Sequence, residues 1–433
     1  MTHSFKKSLN ISSLINSVRQ QFLKIPDPRN FRRIPEISLS DHLMSGLAIF
    51  GLKFPSLLEY DRQKKDLAIE SNLKYLYHVE TPPSDSYLRE RLDELDPSYL
   101  RPAFKRVFSA FQRSKSLESF QFMKGHYLLS VDGTGEFSSG KISCKHCCKK
   151  ELQGGKVSYY HQMLGACIVH PDKSNVIPLC PETIQNQDGN TKNDCERNAA
   201  KRFIENFRRE HPHLKAIILE DGLASNGPHI SLLEEHKLKY IIGAKPGDHK
   251  FLFEELENSE STKYHEFEDE KGFFHHFRFL NDVPLNKSYP NLRVNFFEYR
   301  QTNPDGKELN FSWVTNIRIL ENNIYQLMRG GRSRWKIENE TFNTLKNLGY
   351  NFDHNYGHGK QYLSTVFCLL MMLAFLIDQI QEIACSLFQS AKKAAGTYRG
   401  LWERMRVLFE YVAVSSWEMF YQLIAKKQLL DTS

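Results

Sequence analysis

Apolar residues recur at helical spacing from the N-terminus to about residue 124. "ISLSDHLMSGLAIFGL" and "SDSYLRERLDELDPSYLRPAFKRVFSAFQRS" carry that period and open on Ser or Asp residues of the kind that cap helices. "IPDPRNFRRIP" breaks the run as a proline-rich basic loop. The pattern then changes. "HYLLSVDGTGEF" reads as a compact apolar strand ending at Asp132 in a Gly-containing turn, and "VSYYHQMLGACIVHP" and "SNVIPLCPETI" as two more strands. "NDCERNAAKRFIENFRREHP" is an amphipathic helix with an Asp/Asn start. "LKAIILEDGLASN" is a second buried strand ending in an acid, Asp221; "GPHISLLEEHK" is a short helix and "LKYIIGAKP" another strand. That order predicts a mixed α/β sheet. From about residue 250 to 322, aromatic-rich alternation ("HHFRFL", "LRVNFFEYR", "NPDGKELNFSWVTNI") with "PDG" as a turn predicts a separate β-rich lobe.

The resulting blocks are 1–124 (helical), 125–249 (first part of the α/β domain), 250–322 (β-rich insertion), 323–390 (second part) and 391–433 (C-terminal helices). A chain of 433 residues, 40% hydrophobic and 12% aromatic, is long enough to bury cores in two or three domains. Lys and Arg exceed Asp and Glu by 58 − 51 = 7, which permits a polyanionic partner without demanding one. No signal-peptide pattern opens the chain, and the eight cysteines are irregularly spaced, so a reduced, cytoplasmic setting is expected. "YLSTVFCLLMMLAFLIDQI" tempts a membrane assignment, but its apolar run stops at Asp378 and reads as a buried core helix.

The acids carry the chemistry. Asp132 and Asp221 each follow a hydrophobic strand, where sites in open α/β sheets are assembled. In "GRSRWKIENETFNTLKNLG", an ideal helix puts Trp335, Phe342 and Leu345 in one stripe around Glu338, with Ile337 and Leu348 extending the face. A carboxylate facing inward needs a cation. One candidate is Arg334, four residues earlier. The other is a divalent metal held jointly with Asp132 and Asp221, since hard oxygen ligands suit Mg²⁺ or Mn²⁺. Two such ions can clamp the attacking and leaving oxygens of a phosphoryl displacement.

"SVDGTG", "LEDGLASN", "IIGAKPGDH" and "RWKIENETFNTLK…GYNFDHNYGHG" together resemble the DDE transposases of bacterial insertion sequences, specifically the group with a β-rich insertion between the second Asp and the Glu. In that group the glutamate belongs to a Tyr-Arg-Glu-Lys signature. Here Arg334 precedes Glu338 by four residues, as the signature asks, but Lys346 follows by eight instead of seven and Gly331 stands at the tyrosine position. The resemblance implies a ribonuclease-H-like catalytic domain in which Asp132, Asp221 and Glu338 bind two Mg²⁺ (or Mn²⁺) ions for DNA cutting and strand transfer. It implies that Arg334, Lys336 and Lys346 contact phosphates, and that the basic N-terminal block binds the element's terminal repeats. It further implies a homodimer on double-stranded DNA, with no membrane partner. Trp335 is expected in the core. Two other classes remain: a transposase-derived DNA-binding protein without catalysis, and a metal-dependent nuclease that cuts without joining.

"CKHCC" puts Cys144 and Cys147 at CxxC spacing. Zinc needs four ligands. No second CxxC follows, and Cys167, Cys180 and Cys195 fall on predicted core elements, so thiols without zinc are expected. His354 and His358, just past the Glu helix, are expected to serve structure or phosphate contact rather than a metal.

Overall fold

The computed structural model of the protein describes residues 9–29, 35–186 and 195–426. Its centre is β1 (Tyr127–Ser139), paired antiparallel with β3 (Val157–Val169) and parallel with β6 (Ala216–Glu220). β2 (Cys148–Glu151), β4 (Ile177–Pro178) and β5 (Glu182–Ile184) all pair with β3, and β7 (Lys239–Gly243) runs parallel to β6. Parallel neighbours require crossovers. Helices Glu196–Glu210 and Gly227–Glu235 supply them, and the "AIILE" of β6 is buried throughout. The α/β class with a mixed sheet is as expected.

Two expectations about this sheet change. Asp132 does not end its strand. β1 continues to Ser139, because β3 keeps pairing with it through Gly133 and beyond. What ends near Asp132 is the parallel pairing, which stops at Ser130↔Leu219. The insertion is β-rich but is not a separate lobe: β8 (Lys263–Glu268), β9 (Phe274–Asn286), β10 (Tyr289–Thr302) and β11 (Glu308–Thr315) extend the same sheet, in the order β2-β3-β1-β6-β7-β11-β10-β9-β8. The join is β11 on β7, with Trp313↔Gly243 in register and the Thr315 hydroxyl donating to the Tyr240 carbonyl at 2.6 Å. Strand alternation in the insertion concealed a helix, Lys250–Asn258, whose Leu252 and Leu256 are buried.

The N-terminal helices form as read, with Asn10, Ser38, Ser56 and Ser84 accepting from backbone N–H groups at their starts. They do not stand apart from the C-terminal helices. Asn72 donates to the Phe409 and Val412 carbonyls, and the Trp417 indole donates to the Leu76 carbonyl. Both groups surround Leu363–Ala384, the apolar helix, and 94% of its most apolar window lies inside the protein. Asp378, which ends the apolar run, is buried between the Lys53 ammonium and the Tyr350 hydroxyl. Part of the loop "IPDPRNFRRIP" and the Asp/Asn start ahead of Glu196 lie outside the described residues.

Candidate active site and a thiol–imidazole cluster

The β1–β6 register pairs Ser130 with Leu219, so Asp132 and Asp221 fall at matching positions on adjacent parallel strands. Asp221 itself leaves the sheet: its carboxylate accepts from the Leu223 N–H at 2.9 Å and opens a short 3₁₀ turn. The third acid arrives on the chain after helix Glu321–Arg332. That segment is not a uniform α-helix. It runs as a 3₁₀ turn (Ser333–Trp335), a π-type stretch (Ile337–Phe342) and a short α-helix (Asn343–Asn347). π segments are rare and recur at functional sites. The Ser130 hydroxyl donates to the Arg334 carbonyl at 2.9 Å and ties this segment to β1.

Arg334 joins two of the acids. Its Nη1 donates to Asp132 Oδ2 at 3.0 Å and its Nη2 to Glu338 Oε1 at 3.1 Å. The ion pair with Glu338 considered from spacing is therefore present, and the same guanidinium also holds Asp132. Burial pushes the Asp132 carboxyl up to about 7; Arg334 opposes this, and the adjacent Glu338 carboxyl adds to it. One guanidinium does not neutralise both acids. Among the described residues, the three carboxylates do not come within the spacing of a single ion, because Asp221 remains on its own turn.

Several side chains face differently from the uniform-helix expectation, since the 3₁₀ and π turns break the constant 100° step. Glu338 is not buried in an apolar stripe; its side chain is 51% exposed. Ile337, Phe342 and Leu345 are buried as read, but Leu348 is exposed. Trp335 is not core either: it is exposed and lines a cleft. Lys336 is buried, its ammonium donating to the Lys173 carbonyl at 2.7 Å, so it is not displayed for a phosphate. Lys346 is partly exposed beside Asp353 at 3.6 Å. Its eight-residue offset from Glu338 spans the π stretch, and a π turn takes in one residue more than an α turn. The extra residue is thus absorbed by the helix. Gly331 has a reason as well: a Cβ there would meet the Trp313 indole nitrogen at 2.6 Å, so that indole leaves no room for a tyrosine.

A fourth acid escaped the sequence reading. Glu196, exposed as a residue, tucks its carboxyl so close to Gly133 that a Cβ there would lie 2.2 Å from Oε1. Partial burial and the charge of Asp221 both raise its pKa. The only sequence signal was a glutamate in the first turn of a helix, which is commonplace. Beside these acids a cleft of about 990 Å³ opens between the ends of β6 and β7 and the strands β9–β11. Asp221 and Arg334 line it together with Lys245, Arg300, Arg332 and Trp335.

A second cluster gives the thiols of "CKHCC" partners that spacing did not supply. Cys144 and Cys147 meet His161 of β3 and His358, with all four donor atoms within 4.8 Å of one another. Neither the distant cysteines nor His354 takes part; His354 is exposed and packs edge-on against Tyr356. His161 and His358 are separated by 197 residues, so no local spacing connects them.

No protein-family model matches this chain, and no curated protein matches it.

Proposed function

We propose that the protein is a DDE-type DNA transposase, that its sheet is ribonuclease-H-like, and that Asp132, Asp221 and Glu338 bind two Mg²⁺ or Mn²⁺ ions. One observation carries the reading: Arg334 joins Asp132 of β1 to Glu338, and Asp221 follows the neighbouring strand β6. Asp132 lies two residues past the last β1–β6 pair, and Asp221 lies just past the end of β6. The donor set is all carboxylate oxygen, as these ions prefer. The raised pKa of Asp132 reflects negative charge crowded into a partly buried place, which cations relieve. Bound there, the ions would supply Lewis-acid stabilisation to the attacking and leaving oxygens of a phosphodiester.

The chain's own groups have complementary tasks. Arg334 bridges Asp132 and Glu338 before metal loading, and a guanidinium freed by loading suits a phosphate grip. Lys245, Arg300 and Arg332 give the cleft a cationic wall for the DNA backbone, while Trp335 offers a face for stacking a base. The N-terminal helical block would hold the element's terminal repeats, with a second copy of the chain on the other end.

The test incubates the full-length protein and Mg²⁺ with a duplex carrying the ends of the DNA segment that encodes it, plus a target plasmid. Cutting at the segment ends and joined products are expected. Cutting without joining would reassign the protein as a nuclease. Binding without cutting would make it a DNA-binding protein.

A further inference from the structure

We propose that Cys144, Cys147, His161 and His358 form a structural zinc site. The donor set comes first: two thiols and two imidazoles are a standard tetrahedral zinc set, softer than the acids across the sheet. The spacing fits as well. A tetrahedron with Zn–S near 2.3 Å and Zn–N near 2.0–2.1 Å has edges of about 3.8 Å between sulfurs, about 3.6 Å between sulfur and nitrogen, and about 3.3 Å between nitrogens. The two Sγ atoms are 3.8 Å apart. Sγ to Nε2 is 3.3 Å for Cys144–His161, Cys147–His161 and Cys147–His358, and the two Nε2 atoms are 3.2 Å apart.

The surroundings also match a closed site. Cys147 and His161 are 1% exposed, His358 is 5% exposed and Cys144 is partly exposed; with four protein donors no position is left open for a substrate. The Cys144 N–H points at Cys147 Sγ at 3.3 Å, as suits a thiolate. His358 has its Nδ1 3.0 Å from the Gly359 carbonyl, which fixes the ring with Nε2 toward the cluster. Phe137 packs over the His358 ring at 4.3 Å between centroids and screens it from water. Neither cysteine is in a disulfide.

The ligands show what the ion holds together. Cys144 and Cys147 lie between β1 and β2, His161 lies on β3, and His358 lies between the Glu338 segment and the core helix Leu363–Ala384. A zinc ion here clamps the chain that follows the Glu338 segment to the strand pair that carries Asp132. It would set the acid geometry from a distance without touching a substrate.

Metal analysis of the full-length protein, expressed without added nickel and purified without chelator, tests this independently of any DNA assay. About one zinc per chain is expected. Cys147→Ser and His358→Ala should each lower it to below about a tenth, while Asp132→Asn keeps it. Should either cluster variant fail to fold, the wild type loaded with Co²⁺ decides. Thiolate charge-transfer bands with strong tetrahedral visible bands support the site. A wild-type protein without zinc that gives no such cobalt spectrum overturns it, as does zinc that survives in soluble Cys147→Ser protein.

Discussion

Asp132 of the acid cluster and His161 of the thiol–imidazole cluster lie on the paired strands β1 and β3. Asp132 pairs with Gly165, and five residues further along β1, roughly 17 Å at strand rise, Phe137 pairs with His161. The physical character of the two clusters is opposite. Glu338 is half exposed, Asp221 lines a wide cleft, and one guanidinium spans two carboxylates that it cannot fully neutralise. Cys147, His161 and His358 are buried with only Cys144 partly exposed, the donors already stand at bonding separations for one ion, and an aromatic ring packs on His358. Crowded, open, hard donors suit ions that must keep positions free for a substrate. A closed, soft, complete set suits an ion that only holds chain segments together. A single sheet thus carries one site tuned to change and one tuned to stay fixed.

The largest expected effect separates them by activity. Asp132→Asn, Asp221→Asn or Glu338→Gln should each cut Mg²⁺-dependent DNA cleavage by about 1,000-fold or more, equivalent to about 4 kcal/mol in the barrier, with zinc content unchanged. Glu340→Gln, outside the acid cluster, should cleave normally. Stability should barely respond to Glu338→Gln, because an exposed i,i+4 pair contributes only about 0.3–0.5 kcal/mol. A Glu338→Gln protein that cleaves at the wild-type rate would break the comparison at its first term.

The next effect runs the other way. Stripping the thiol–imidazole cluster of metal should lower the melting temperature by at least about 5 °C, since a ligand bound only in the native state stabilises it. Omitting Mg²⁺ with no chelator present, at about pH 5 where the Asp132 carboxyl is protonated, should leave the melting temperature nearly unchanged. Calorimetry on Mg²⁺-free protein with and without a strong zinc chelator measures both. Equal responses would mean that the two clusters do not differ in kind.

How much of this could be read from the chain depends on how local the cause is. The strands around Asp132 and Asp221 announce themselves as apolar runs, and both acids lie where such runs meet turns or lose a partner. The pairing of β11 with β7 is not local. Nothing in "ELNFSWVT" says whether its open edge is covered by the insertion or by the core, so a lobe was expected where the sheet continues. The face of Glu338 was misjudged for a related reason. A constant helical step was assumed through a stretch that tightens to 3₁₀ and loosens to π, and only packing against β1 and β3 imposes that. Half of the zinc set was visible as a CxxC. The other half consists of two histidines 197 residues apart, which no spacing rule connects.

A smaller effect should appear on titration. The Asp132 carboxyl, held near pH 7 by burial and by Glu338 despite Arg334, binds a proton more tightly folded than unfolded. A raised folded pKa favours the native state fully below the unfolded value near 3.8, and that contribution fades as pH rises through about 7. Chelated protein should therefore lose stability between about pH 4 and pH 7.5, by no more than about 4 kcal/mol. Mg²⁺ should flatten the slope, and so should Asp132→Asn. Urea midpoints at a series of pH values give the answer. Stability that rises over this window would show that Asp132 is ionised and well paired in the folded chain, and the crowding assigned to the acid cluster would be absent.

The smallest effect concerns two lysines on either side of Glu338. Both belong to the signature's basic surroundings, and a uniform helix would have displayed both. The observed helix does not: Lys336 is buried on the Lys173 carbonyl, and Lys346 stands partly exposed beyond the π stretch. Each cation that meets a phosphate contributes about 0.9 to the slope of log affinity against log salt. Lys346→Ala should therefore lower that slope by about one. Lys336→Ala should leave the slope alone and instead cost stability, because it removes a buried side chain that satisfies a backbone carbonyl. Fluorescence anisotropy on one duplex across a salt series, with melting curves for each variant, reads both quantities. An unchanged slope in Lys346→Ala would leave that lysine to its neighbour Asp353, and the residue absorbed by the π turn would then restore a position that DNA never uses.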